Sequence, residues 1–249
     1  RAHKSCQQRH SKGHLALVEL ARQKADRVVV SIFVNPLQFS ANEDFGEYPR
    51  TLTADLAALE ALGVDLVFVP DADAIYPDGL DLTVDVGEIG QILCGKTRPH
   101  FFNGVVAVVR RMFAIVLPDV AVFGQKDWQQ LCIIQRFTSG VEIVSAATVR
   151  EENGLAMSSR NQYLNSAERE IAGKLQQTLK QIESGNMSLQ SAKKQLQQTF
   201  ELDYLQMLDA NTLGQITTNT SKIAILCAVN FGKTRLIDNI IFIKGKQNV

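Results

Sequence analysis

The chain has 249 residues, enough for one large domain or two smaller ones. Hydrophobic residues make up 45% and charged ones 21%, and 26 basic side chains balance 26 acidic ones, so composition supports neither a nucleic-acid nor a membrane partner. No apolar run reaches the ~18 residues of a membrane span, the basic start lacks a secretory apolar core, and Cys6, Cys94, Cys132 and Cys227 form no C-x-x-C pair, which suits free thiols in the cytoplasm.

Helix and strand signals alternate through the first part of the chain. Gly13-His14 runs into "LALVELARQKAD", with Leu17, Leu20 and Ala21 at helical spacing. "RVVVSIFVN" is a continuous apolar run, as in a strand buried on both faces of a parallel sheet. "TADLAALEALG" predicts a helix with Leu56, Leu59 and Leu62 on one face and Gly63 as its stop. "DLVFVP" predicts a short strand, "GVVAVVRRMFAIVLPD" a helix, "VAVFG" a strand, "KDWQQLCIIQRF" a helix and "VEIVS" a strand. This order predicts an α/β fold, a Rossmann-like doubly wound parallel sheet over residues 1–148.

After "VREENGLAMSSRNQYL" the pattern changes. Asn165 with Glu168 forms a capping-box signature before a long polar helix. A second helix follows at "SLQSAKKQLQQTF", then strand-like "LDYLQML", "KIAILCAVN" and "TRLIDNIIF". Residues 149–249 therefore read as a smaller C-terminal α+β domain.

Three segments could carry chemistry. "SIFVNPLQF" ends a strand in Asn35, Pro36 and Gln38, where α/β sheets bind ligands, although Asn-Pro is also ordinary turn chemistry. "FGQKDWQQL" ends a strand at Gly124 and starts a helix near Lys126-Asp127; either this is a capped surface helix or its N–H groups and Lys126 meet an anion. Ser158, Ser159 and Arg160 make either a phosphate clamp or a hinge loop. His3, Cys6, His10 and His14 are zinc-type side chains, but their spacing matches no usual finger and no metal site is assigned. For His100, packing or a surface position is the default reading.

Taken together, "SIFVNPLQF", "YPRTL", "PDVAVFGQKDWQQL", "VREENGLAMSSRNQYL" and "GKTRLIDN" resemble the pantothenate synthetases, or pantoate–β-alanine ligases. These belong to the nucleotidyltransferases that share a His-x-Gly-His motif. The resemblance implies ATP-dependent condensation of pantoate with β-alanine through a pantoyl adenylate, releasing AMP and pyrophosphate. It implies ATP with Mg²⁺ as substrate complex, no tightly bound cofactor, a cytoplasmic location and a homodimer. It places ATP between the two domains. Gly13, His14, Gly124, Gln125, Lys126, Asp127, Val149, Met157, Ser158, Ser159 and Arg160 fall on ATP-binding positions. Gln38 and Gln130 fall on the amides that hold pantoate, with Gln38 also near β-alanine. His14, Lys126 and Arg160 are the expected catalytic groups. Two other readings are a nucleotide- or pantoate-binding homologue with impaired catalysis and another adenylyl-transferring enzyme of the same superfamily.

Several positions depart from the family pattern. "SCQQ" stands for Pro-Thr-Met-Gly, and Ser11 for the first His of His-x-Gly-His, with His10 one residue out of register. The first strand and helix of the domain are expected to be missing, which would open a sheet edge and reduce activity. Codons such as AAA-TCG-TGC-CAA-CAA for Lys4–Gln8 contain ATC-GTG-CCA-ACA, or Ile-Val-Pro-Thr, in another frame; the genomic DNA tests this. Cys94 replaces Glu, Phe101 replaces His, Gln125 replaces Glu, and "QRFTSGVEIV" is shorter than usual.

Overall fold

The computed structural model describes residues 2–6, 12–38, 52–79 and 84–245. Contacts divide the chain into two compact units. The first comprises Arg1–Gln125 and Gln129–Ala147; the second comprises Lys126–Trp128 and Thr148–Val249. The segment Lys126–Trp128 thus groups with the second unit although it lies between two parts of the first in sequence.

In the first unit, β1 (Ala2–Cys6) leads to α1 (Lys12–Lys24) and β2 (Val28–Ile32). Then come α2 (Leu52–Ala61), β3 (Leu66–Phe68), α3 (Ala72–Ile75), α4 (Cys94–Thr97) and α5 (Phe101–Val116). β4 (Val120–Gly124), α6 (Trp128–Phe137) and β5 (Glu142–Ala146) complete the alternation. The strands form one parallel sheet in the order β3-β2-β1-β4-β5.

The sheet contains a strand, Ala2–Cys6, that no apolar run in the sequence marks. Ala2–Cys6 pairs with Val28–Ile32 on one side, and Ala2 and His3 pair with Val120 and Ala121 on the other. The segment is polar, unlike the apolar runs usual in buried parallel strands, so its sequence hid it. Backbone N–H and C=O groups make a ladder whatever the side chains, and the two neighbouring strands supply the register. The sheet edges are β3 and β5.

The core under this sheet comes from the periodicities in the sequence. Leu17, Val18 and Ala21 of α1 pack with Val28, Val30, Leu59, Val120, Val122 and Ala146. Burying a Val or Leu side chain contributes about 1.5–3 kcal/mol. In α2 the predicted face is rotated: Leu59 is fully buried, but Leu56 is 39% exposed while Asp55 is only 5% exposed. On α5, Gly104 lies against the turn after β2, where a Cβ would come within 2.5 Å of the Leu37 carbonyl oxygen. Glycine is required there because the helix approaches backbone.

The second unit contains α7 (Ser166–Glu183), α8 (Leu189–Gln197), β6 (Glu201–Asp209), β7 (Lys222–Phe231) and β8 (Thr234–Ile243). The capping box that opens α7 has both reciprocal bonds, Glu168 N–H to Asn165 Oδ1 at 2.9 Å and Asn165 N–H to Glu168 Oε2 at 2.8 Å. The three strands form an antiparallel sheet in the order β6-β7-β8. Leu175, Leu179 and Ile182 of α7 share a core with Leu196, Leu205, Ile225, Val229 and Leu236.

Candidate active site

In the first unit the expected ligand groups gather at the carboxyl ends of β2 and β4. α1 starts at Lys12, so Gly13 and His14 lie within its first turn, where N–H groups lack intrahelical acceptors. That is a favourable place for a phosphate. His10 and Ser11 lie outside the described residues, as does "YPRT". Gly124 ends β4, and a Cβ there would meet Leu17 Cδ2 at 4.0 Å, so α1 and this strand end are neighbours. The chain then enters a 3₁₀ turn over Gln125–Asp127 and continues as α6.

Asn35 and Gln38 follow β2, but they behave differently from one another. Asn35 is fully buried and committed to the fold: Nδ2 donates to Gly104 O at 3.1 Å, while Oδ1 accepts from Tyr76 Oη at 2.9 Å and from Leu37 N–H at 3.2 Å. Asn35 thus braces the turn after β2. Burial pushes the Tyr76 phenol up to about 12, with the bond to Asn35 and the nearby Arg111 opposing the shift. Gln38, 7% exposed, is held through its backbone, its N–H donating to Asn35 O and its carbonyl accepting from Arg98 Nη2 at 3.0 Å.

Gln130 is half-buried on α6. Its neighbour Gln129, which sequence reasoning passed over, is buried and fixes the chain before α4. Gln129 Nε2 donates to Ile89 O and Ile92 O at 2.9 and 2.8 Å, and Oε1 accepts from Cys94 N–H at 3.1 Å. The two adjacent glutamines thus differ in burial.

The remaining expected residues belong to the second unit. Lys126 is half-buried and Asp127 exposed. Asn239 Nδ2 donates to Lys126 O at 2.8 Å, Trp128 Nε1 donates to Ala210 O at 2.9 Å, and the Lys222 ammonium lies 5.4 Å from the Trp128 ring centre. A tight hairpin brings Val149 and Met157 together, Met157 N–H donating to Val149 O at 2.9 Å, with Gly154 at φ +93° in the turn. Inside it, Arg150 grips the buried Asp238 with both Nη atoms, at 2.7 and 2.9 Å. Removing either partner would strand a charge, at about 3–5 kcal/mol.

Ser158 caps a 3₁₀ turn over Ser159–Tyr163, its Oγ accepting from Arg160 N–H at 3.2 Å. That hydroxyl still has a proton to donate. Asn161 steadies the turn from behind, Nδ2 donating to Glu151 Oε1 and Ala156 O. The Arg160 side chain stands exposed. Asp238 and Asn239, adjacent on β8, thus hold the starts of both groups of expected phosphate-binding residues, Lys126 and the Val149–Arg160 hairpin. Among the described residues no group of three or more His, Cys, Asp or Glu could hold a metal ion. No helix among them is long and apolar enough to cross a membrane.

The model of the family Pantoate-beta-alanine ligase matches residues 9–241. The chain belongs to the pantoate–β-alanine ligase family. It is 54% identical over 244 residues to the pantothenate synthetase of Ruthia magnifica subsp. Calyptogena magnifica, covering 94% of this chain and 87% of that one. It is 46% identical to that of Shewanella woodyi, covering 92% and 86%. Among solved structures, the pantothenate synthetase of Thermus thermophilus superposes with a TM-score of 0.88 at 38% identity, covering 96% of this chain and 92% of that one. The Francisella tularensis ligase, complexed with Beta-gamma ATP and Beta-alanine, gives 0.81 at 34%, covering 96% and 88%. Neither an impaired binding protein nor another adenylyl-transferring enzyme is favoured by these matches.

Proposed function

We propose that the chain carries out the reaction of its family, the ATP-dependent joining of pantoate to β-alanine, with the residues described above. The observation that carries the assignment of roles is the pair of helix or turn starts, Gly13-His14 and Ser158–Arg160, together with Lys126 after Gly124, each on a family motif and each rich in donors for a polyanion.

Pantoate's carboxylate is ionised at neutral pH, because free carboxyl groups titrate near ~4. No general base is needed for the first step. A carboxylate oxygen bonds to the α-phosphorus of ATP, and the bond from that phosphorus to the bridging oxygen breaks, releasing pyrophosphate. The barrier is charge repulsion and alignment. Lys126, Arg160, His14 and the N–H groups of the α1 start supply the positive charge and donors that neutralise the phosphate oxygens. Gly124, Gln125, Asp127, Val149, Met157, Ser158 and Ser159 complete the ATP contacts. Gln38 and Gln130 hold pantoate through neutral amides, which donate and accept without adding charge.

In the second step the β-alanine amine bonds to the carbonyl carbon of the adenylate. The bond from that carbon to the AMP oxygen breaks, AMP leaves, and the amine loses a proton to water. Mg²⁺ would accompany ATP as part of the substrate and would offset phosphate charge. We further read the protein as a cytoplasmic homodimer, by its family; a stable monomer at micromolar concentration in sedimentation equilibrium would contradict the dimer.

Product analysis tests the reading directly. ATP, pantoate and β-alanine together should yield pantothenate, AMP and pyrophosphate in equal amounts. Formation of ADP and phosphate instead would overturn it.

A further inference from the structure

The stretch from Leu93, just before α4, to His100, just before α5, is strained and held at both ends. Leu93 sits at φ 51° and ψ −119°, and His100 at φ 65°. Such conformations in residues with a Cβ cost about 1–3 kcal/mol each and persist only when the surroundings enforce them. Buried Gln129 enforces the first end with its three bonds to Ile89, Ile92 and Cys94.

At the other end, the Arg98 guanidinium lies 3.7 Å from the centre of the Phe101 ring. From there Nη2 reaches the Gln38 carbonyl at 3.0 Å, and Phe101 N–H closes the turn on Arg98 O at 3.2 Å. Phe101 also meets Phe102 edge-on at 5.0 Å, which fixes its plane. A planar cation on an aromatic face loses little freedom when it makes its hydrogen bond, unlike a lysine on a flexible stem. Gln38 in turn is buried and tied to Asn35.

We propose that Arg98, held flat on Phe101, is a positioning residue for Gln38 and sets the affinity for pantoate. This rests on the reading of Gln38 as a pantoate-binding amide. The guanidinium fixes the backbone from which that amide projects, so its effect falls on the hydroxy-acid substrate and not on the nucleotide. It also gives a task to Phe101, where this chain differs from the His of the family pattern.

The test is pantoate-dependent ATP–pyrophosphate exchange on the full chain, with each variant's thermal unfolding followed in parallel. Phe101→Leu and Arg98→Lys should each raise the KM for pantoate about three- to tenfold and leave the KM for ATP within about twofold. Phe101→Tyr, which keeps the aromatic face, should stay near the parent. In a Gln38→Ala background, Phe101→Leu should add no further change, because its effect passes through Gln38. The proposal is overturned if Phe101→Leu and Arg98→Lys leave the pantoate KM unchanged, or if the Phe101→Leu effect multiplies with that of Gln38→Ala. Should Phe101→Leu fail to fold, Arg98→Lys alone and combined with Gln38→Ala discriminates in the same way. A Gln38→Ala variant with unaltered pantoate KM would instead overturn the underlying reading of Gln38.

Discussion

Asn239 donates a hydrogen bond from its side chain to the backbone carbonyl of Lys126, 2.8 Å away and 113 positions earlier in the chain. The neighbouring Asp238 holds Arg150 in a two-pronged ion pair. One dipeptide in the middle of β8 therefore anchors both groups of residues assigned to phosphate binding in the second unit. This gives "GKTRLIDN" a physical task that its sequence alone did not state. Asn239→Ala should lower adenylation about tenfold, because the carbonyl of Lys126 loses its partner and the side chain that follows loses its fixed origin. Pantoate-dependent exchange measures this; a variant that is less stable but equally fast would show that Asn239 only holds the fold.

Lys126→Ala should cost about 2–3 kcal/mol of transition-state stabilisation, roughly a hundredfold in rate. Its ammonium serves no core packing, since the residue is half-buried at a turn. Thermal stability should change little. Exchange at the parent rate in Lys126→Ala would remove this residue from the mechanism.

Tyr76 makes the fold sensitive to alkali. Burial raises its phenol from an ordinary value near 10 to about 12, and the neutral hydroxyl donates to Asn35. The folded state holds this proton more tightly than the unfolded state. The corresponding stabilisation is complete below pH ~10 and is lost as the pH climbs through ~12. Alkaline titration followed by tyrosinate absorbance should show a late component near pH 12 that Tyr76→Phe abolishes. Identical curves for the two proteins would contradict the assignment.

Much of the architecture follows from patterns already visible in the chain. Val and Ile runs became β2 and β4, the Asn165–Glu168 spacing became a capping box, and Gly124 ended a strand before a helix start. Local patterns failed where long-range contacts decided the outcome. The polar Ala2–Cys6 became the central strand because neighbours on both sides supply its ladder. Asn35 braces Gly104, Leu37 and Tyr76, two of them far away in sequence, which no local pattern could announce. The grouping of Lys126–Trp128 with the second unit depends on Asn239, Ala210 and Lys222, all far away in sequence. Gln129 and Gln130 are chemically identical neighbours, and only burial and hydrogen bonds to Ile89, Ile92 and Cys94 mark Gln129 as the one that braces the chain.

By the proposed reaction, ATP and pantoate react before β-alanine takes part. The most direct measurement is exchange of labelled pyrophosphate into ATP with β-alanine left out. Label should enter ATP when pantoate is present and fail to enter when it is absent, because only the pantoyl adenylate makes the first step reversible. Exchange that proceeds without pantoate, or that requires β-alanine, would contradict the account.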